Sequence, residues 1–238
     1  MAVVAVVGGP GAPGATTTAL ALLLSWPLPP GRKVLLAECD PDGGAVLAGA
    51  LEGRIEAVYG LRNLAVADRR GLLAQTVWEQ LVDLSPEGTA ERLLLPGLTD
   101  PAQAPGLAYT WEPLADTFQA LDGQGYDVIV DLGRSGATGP GAVLARRADV
   151  VVATVRTTLR GLSAARPRLA ALRDDLESAA RVPTRSACCR SARARTRWPR
   201  PPANSASPRW ACCPTRRAPP GCSPTAGTPP TGGSSAPS

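Results

Sequence analysis

The sequence predicts an α/β domain over residues 1–181, a mostly parallel sheet flanked by helices on both faces, followed by a disordered tail over residues 182–238. Three observations predict it. Short Val- and Leu-rich runs recur, each nearly continuous in apolar residues, as in strands buried on both faces. Helical patterns alternate with these runs, the sign of βα units. The composition then changes abruptly: beyond residue 181 there is no Leu, Ile, Met, Phe, Tyr, Lys, Asp, Glu or Gln.

In chain order, Ala2 to Val7 is a Val-rich run that ends at Gly8 and reads as the first strand. Gly8 to Ala15 is rich in turn residues. Thr16 to Trp26 carries Ala19, Leu20, Leu22, Leu23 and Leu24 and reads as a buried helix, stopped by Pro27, Pro29, Pro30 and Gly31. Lys33 to Glu38 is a second strand. Helical patterns follow at Ala45 to Leu51 and Gly71 to Leu84, then a short strand at Arg92 to Leu95 and turn-rich sequence from Pro96 to Gly106. Trp111 to Leu121 reads as a helix. Tyr126 to Asp131 and Asp149 to Val155 are further strands, with a short helix at Gly141 to Arg147 between them. Thr158 to Leu176 closes the pattern as an amphipathic helix.

Charge separates the two regions as sharply as composition does. Residues 1–181 hold all 20 acidic residues, the single lysine, Lys33, and 15 of the 24 arginines, a net charge of −4. Residues 182–238 hold nine arginines and no acid. The positive balance of the whole chain therefore belongs to the tail, and direct DNA binding by the first domain is not expected. Five of the six cysteines (Cys188, Cys189, Cys212, Cys213, Cys222) also lie in the tail, without histidine and without Cys-x2-Cys spacing, so no zinc site is expected there. No basic residue precedes Arg32, which argues against a signal peptide, and no stretch approaches the roughly 18 apolar residues of a membrane span. The expectation is a cytoplasmic protein without a membrane anchor.

The turn after the first strand carries the chemistry. A strand, a glycine-rich turn and a helix N-terminus form an anion site, because free amides and the positive end of the helix dipole point to one place. Gly9, Gly11 and Gly14 fit G-x-G-x-x-G, with Glu38 or Asp40 as a ribose-binding acid, which is the dinucleotide pattern. Gly9 to Thr16 also fits G-x-x-x-x-G-K-[ST], except that Ala15 stands at the lysine position. Thr16, Thr17 and Thr18 supply hydroxyls where a phosphate loop holds Mg2+. The second strand ends in Glu38-Cys39-Asp40-Pro41-Asp42-Gly43, and a later one in Asp131-Leu132-Gly133. An apolar strand ending in Asp is the Walker B arrangement, so the phosphate-loop reading is favoured. Glu38 and Asp42 read as solvated strand-end carboxylates. Trp26, Trp78 and Trp111 read as packing residues, and Arg146 and Arg147 as solvated helix-end cations.

On these residues the chain resembles the ParA/MinD family of P-loop ATPases, which includes chromosome-partitioning and cell-division positioning proteins. The resemblance spans most of residues 2–177. It implies that Gly9, Gly11, Gly14, Ala15 and Thr17 belong to the phosphate-binding loop, that Thr16 ligates Mg2+, that Asp40 positions the attacking water and that Asp131 holds the metal's water shell. It further implies ATP and Mg2+ as ligands, a nucleotide-dependent homodimer, an unidentified protein partner and a role in intracellular positioning or partitioning. The departures bear on activity. Where the family's loop reads K-G-G-x-G-K-T-T, Pro10 and Ala15 replace the two lysines and Ala12 replaces a glycine. A charge-assisted contact contributes roughly 1.5 to 3 kcal/mol, and Pro10 and Pro13 each remove an amide donor. Nucleotide binding is expected to be weak, and hydrolysis weak or absent. A non-hydrolysing scaffold that keeps the fold, and a Rossmann NAD(P)-binding oxidoreductase, are the alternatives.

The tail carries information about the gene. It contains twelve prolines and too little apolar sequence to offset its ordering entropy. Of its 57 residues, all except Val182 and Asn204 have codons with C or G in the middle. GC-rich genes show that bias at the third position. A frameshift of +1 or −1 between about codons 177 and 184 is therefore expected. Reading the present first base as the true middle base turns Ser205 to Thr215 into a strand-like apolar pattern, similar to the last βα unit of the same family.

Overall fold

The computed structural model describes residues 3–9, 14–55, 58–179 and 185–191. Pro10, Gly11, Ala12 and Pro13 of the loop, and the tail from residue 192 on, lie outside the described residues.

The chain runs through β1 (Val3–Gly8), α1 (Ala15–Ser25), β2 (Lys33–Glu38), α2 (Leu61–Asp68), α3 (Leu73–Glu79), β3 (Val82–Asp83) and β4 (Arg92–Leu95). It continues through α4 (Trp111–Ala120), β5 (Tyr126–Asp131), α5 (Ala142–Arg146), β6 (Val150–Arg156), α6 (Leu159–Ala179) and β7 (Arg185–Ser191). The strands form one sheet in the order β3-β4-β2-β5-β1-β6-β7. Every pairing is parallel except β3 with β4.

Successive strand residues point to opposite faces, and the two faces have separate cores. Val3, Ala5 and Val7 of β1, Leu35 and Ala37 of β2, and Val128 and Val130 of β5 face one side, where Leu61, Leu64, Val77, Leu114, Phe118 and Leu176 cover them. Val4, Val6, Val34, Leu36 and Ile129 face the other side, against Ala15, Ala19 and Leu23 of α1. Those three residues are spaced four apart and form the buried stripe of the helix.

At the amino ends of the strands, Arg32 bridges Asp127 at 2.6 Å and Asp122 at 3.1 Å, and the Trp26 indole donates to Asp127 at 3.0 Å. These contacts fix the end of the sheet opposite the glycine-rich loop.

The predicted elements differ from the observed ones in three places. The helical pattern at Gly71 to Leu84 is only partly helix: α3 stops at Glu79, and Val82–Asp83 pairs antiparallel with β4 instead. The Asp83 carboxylate accepts from the amides of Ser85 and Ala90, closing a turn that favours the hairpin over a longer helix. Helix α2 was not expected, and Ala45 to Leu51 contains a single π turn, Val46–Ala50. Arg185–Ser191 runs parallel to β6, Val150 with Arg185 through Arg156 with Ser191. Parallel pairing is made by the main chain, so side-chain composition alone does not forbid it. Ser205 to Thr215 lies outside the described residues.

Candidate functional site

In an open parallel sheet, ligands bind beyond the carboxyl ends of the strands. Here β5 lies between β1 and β2, so its last residue stands between the glycine-rich loop and the loop after β2. Asp131 is in register with Val6 on one side and with Glu38 on the other. Beyond the strands the backbones remain joined. Gly8 N–H donates to Gly133 O at 2.7 Å, Gly9 N–H to Thr154 O at 2.9 Å and Cys39 N–H to Asp131 O at 2.7 Å. The Rossmann order, with the first two strands as neighbours, is not the one observed.

Helix α1 starts at Ala15, after Gly14 at φ 116°, a left-handed conformation that favours glycine. No side chain caps its N-terminus and its first turn carries no acid, so its leading amides and dipole suit an anion. The Thr16 side chain faces the Asp131 carboxylate and lowers its pKa. Gly133 N–H donates to Asp131 Oδ1 at 2.9 Å. Asp131 is 1% exposed. Burial raises its pKa, Thr16 and the bond from Gly133 lower it, and the charge of Glu38 raises it again.

Asp40 stands opposite, at the start of the loop after β2. Its carboxylate lies directly over Gly133: a β-carbon on that residue, which sits at φ +53°, would overlap the Asp40 carboxylate oxygens. Burial pushes the Asp40 pKa up to about 6, against the bond its Oδ1 accepts from Asp42 N–H at 2.9 Å. The charges of Asp131 and Asp42 raise it further, and that of Arg134 lowers it. A carboxylate poised there suits the task of orienting or deprotonating water.

Glu38 is not the solvated carboxylate expected from its place at a strand end. It is 1% exposed. Its Oε1 accepts from the amides of Ala45 at 2.8 Å and Val46 at 2.9 Å, and its Oε2 from Gly97 N–H at 3.2 Å. It thus ties the loop after β2 to the loop after β4, and both of its oxygens are occupied by main chain. Asp42 is exposed as expected, accepting from the Ser135 hydroxyl at 2.9 Å and from Arg134 at 3.4 Å. Burial, and then the charges of Asp131, Glu38 and Asp40, push the Cys39 thiol well up in pKa, so it is held as a neutral thiol.

The remaining residues singled out in the sequence are distributed as follows. Ala15 packs its methyl group into the core beneath α1, and Thr17 is exposed. Trp111 is buried in the core, and Trp78 packs against the Tyr126 ring at 5.2 Å. Arg146 and Arg147 are ion-paired rather than merely solvated, the first to Asp175 and the second to Asp116 and Glu112.

Among the described residues no group of three or more His, Cys, Asp or Glu side chains could hold a metal ion by itself. That suits Mg2+, which keeps several waters and takes one or two protein ligands plus phosphate oxygens. Thr16 and Asp131 fit such an ion as hydroxyl ligand and holder of its water shell. When bound, the ion neutralises phosphate charge. Gly133 and the role of Glu38 escaped the sequence reading. The Asp-Leu-Gly triplet after β5 was the available signal for Gly133.

The strand order, with β5 between β1 and β2, and the passage from β1 into α1 define a P-loop type of α/β fold. The solved structures specify it further. The chain is similar to a ParA family ATPase from Chlorobium tepidum, with a TM-score of 0.57 and 18% identity over 79% of this chain and 73% of that one. It is also similar to cobyrinic acid a,c-diamide synthase from Mycobacterium smegmatis, solved with an ATP analog and magnesium, with a TM-score of 0.55 and 20% identity over 79% and 75%. The septum site-determining protein MinD from Pyrococcus horikoshii, solved with Mg-ADP, gives a TM-score of 0.55 and 16% identity over 81% and 72%. No protein-family model matches the sequence, and no curated protein matches it. The fold of this chain is the ParA/MinD-like P-loop NTPase fold. No helix among the described residues is long and apolar enough to cross a membrane.

Proposed function

We propose that this chain is a nucleotide-binding protein of the ParA/MinD type, acting in intracellular positioning or partitioning, with ATP and Mg2+ as ligands and weak or absent hydrolysis. The observation that carries the reading is the placement of Thr16, at the start of α1, against Asp131, with the Asp40 carboxylate over Gly133 beside them. It joins a hydroxyl and a carboxylate suited to Mg2+ beside uncapped helix amides suited to phosphate. The same fold serves a septum-positioning protein and a diamide synthase, so fold alone does not assign the activity.

In this reading the α1 amides and the loop glycines bind phosphate, Thr16 holds the metal and Asp131 orients its water shell. Asp40 orients the attacking water. Ala15 supplies no charge where an ammonium group would stabilise the transferring phosphoryl, which slows hydrolysis. Nucleotide occupancy then controls dimerisation and contact with a protein partner, in a cytoplasmic setting.

Thermal melting of the full chain with MgATP, with NADH and with neither tests the reading. A rise in Tm with MgATP and none with NADH is expected. No shift with either favours the scaffold alternative, for which the loss of the lysine at Ala15 is the supporting observation. A shift with NADH alone removes the proposal.

A further inference from the structure

Arg134 follows Gly133 in the loop after β5, one residue beyond the glycine on which the Asp40 carboxylate rests. Its guanidinium is 66% exposed and meets Asp42 Oδ2 at 3.4 Å. The same oxygen already accepts a shorter bond, 2.9 Å, from the Ser135 hydroxyl. An exposed, single-contact pair of this kind holds its arginine weakly, and Asp42 keeps a partner if the arginine leaves. Arg134 also lines a cleft that runs from Gly8 and Gly9 along α5 and α6, past Arg146, Arg168 and Asp175, and does not include Thr16, Asp40 or Asp131. Its charge reaches Asp40.

Of the other cations, Lys33, Arg146 and Arg32 have partners of their own, while Arg168 lines the same cleft as Arg134 from α6. Lys33 lies over the Tyr126 ring, 5.7 Å from its centroid, at the opposite end of β2. Arg146 makes two hydrogen bonds to Asp175, at 2.9 and 3.0 Å. Arg32 is bridged to Asp122 and Asp127. Among Lys33, Arg32, Arg146 and Arg134, Arg134 is the loosely held one, and it follows the glycine under the Asp40 carboxylate.

We propose that Arg134 is a phosphate-binding residue of the nucleotide site, standing in for the lysine that Ala15 lacks. The inference rests on the nucleotide reading given above. Guanidinium binds phosphate oxygens with two parallel N–H donors, so one arginine replaces a lysine's charge and adds orientation. In the free chain Asp42 holds the guanidinium; a polyphosphate, with several negative charges, draws it away. The charge absent from α1 is thus returned from the opposite side of the site, on the loop that also carries Asp131.

The test uses the full chain and four proteins: the parent, Arg134→Gln, Arg134→Lys, and Arg134→Gln combined with Ala15→Lys. MgATP affinity is measured by calorimetry, and ligand-free Tm is measured alongside. Arg134→Gln is expected to weaken binding about ten- to a hundred-fold, the loss of one charge-assisted contact. Its ligand-free Tm should stay unchanged, because the side chain is exposed. Arg134→Lys should lose less, and the added lysine should recover affinity in the double variant. Parent binding with equal binding by Arg134→Gln overturns the inference and leaves the nucleotide reading standing. No binding by the parent or by the double variant overturns both.

Discussion

Thr16, in the first turn of α1, faces the carboxylate of Asp131, the last residue of β5. Two residues distant in sequence meet because β5 is the strand beside β1, and Asp131 is level with Val6. If this pair holds Mg2+, then Thr16→Ala and Asp131→Asn should each abolish the additional Tm rise that Mg2+ gives over ATP alone, whereas Thr16→Ser should keep it. Full magnesium dependence in Thr16→Ala would remove Thr16 from the site.

Asp40 gives a pH signature. Its folded-state pKa is raised to about 6, so the ionised carboxylate costs stability. The cost is absent below the unfolded value near 4, grows as pH rises through 6, and is complete above it. Asp40→Asn should therefore be neutral at pH 4 and stabilising at pH 7.5, by about 1 kcal/mol once partial exposure is discounted. Denaturant titration at the two pH values measures this. Any nucleotide hydrolysis should fall as pH drops below about 6, as a base that must be ionised requires.

Gly133→Ala should disturb Asp40 through space. A β-carbon at φ +53° meets the Asp40 carboxylate, so either the loop after β2 or the loop after β5 must shift. A loss of about 1 to 3 kcal/mol is expected from the strained backbone and the displaced carboxylate. The same substitution in an Asp40→Ala background should cost less. Equal costs in the two backgrounds would show that the contact is not the cause.

Glu38 is a structural tie and not a ligand group. Glu38→Ala leaves the amides of Ala45, Val46 and Gly97 without their acceptor. At about 1 to 3 kcal/mol for each stranded group, a loss of 3 kcal/mol or more is expected in chemical denaturation, with Glu38→Gln losing less. A near-neutral Glu38→Ala would contradict the tie.

The reading frame makes a genetic prediction. We propose a shift of one base between about codons 177 and 184, from the C-or-G middle bases of all but two of the codons beyond residue 181. Independent resequencing should find an inserted or deleted base there. An unbroken frame in repeated reads ends the proposal.

Much of the architecture was legible because its signals are local. The run KVLLAE is β2 and YDVIVD is β5, each with the bounds its apolar pattern suggested, since a strand buried on both faces needs no partner's identity to be read. Proline and glycine marked the end of α1 for equally local reasons. Less legible were α2, whose apolar residues are separated by Arg62 and Asn63, and β3, two residues whose pairing depends on the turn made by Asp83. The strand Arg185–Ser191 was invisible for the converse reason, because main-chain pairing with β6 does not require an apolar pattern.

The sequence by itself determined that a glycine-rich turn lies between a buried strand and a helix, that threonines open that helix, that Ala15 stands at the lysine position, and that two later strands end in acid. Only the tertiary structure decided what those acids do. The insertion of β5 between β1 and β2 set Asp131 against Thr16, turned Glu38 into buried main-chain support, laid Asp40 over Gly133 and brought Arg134 beside it. The physical reason is that hydrogen-bond register between strands is a long-range choice: it sets which carboxylates share a level, and burial and neighbouring charge then divide their roles.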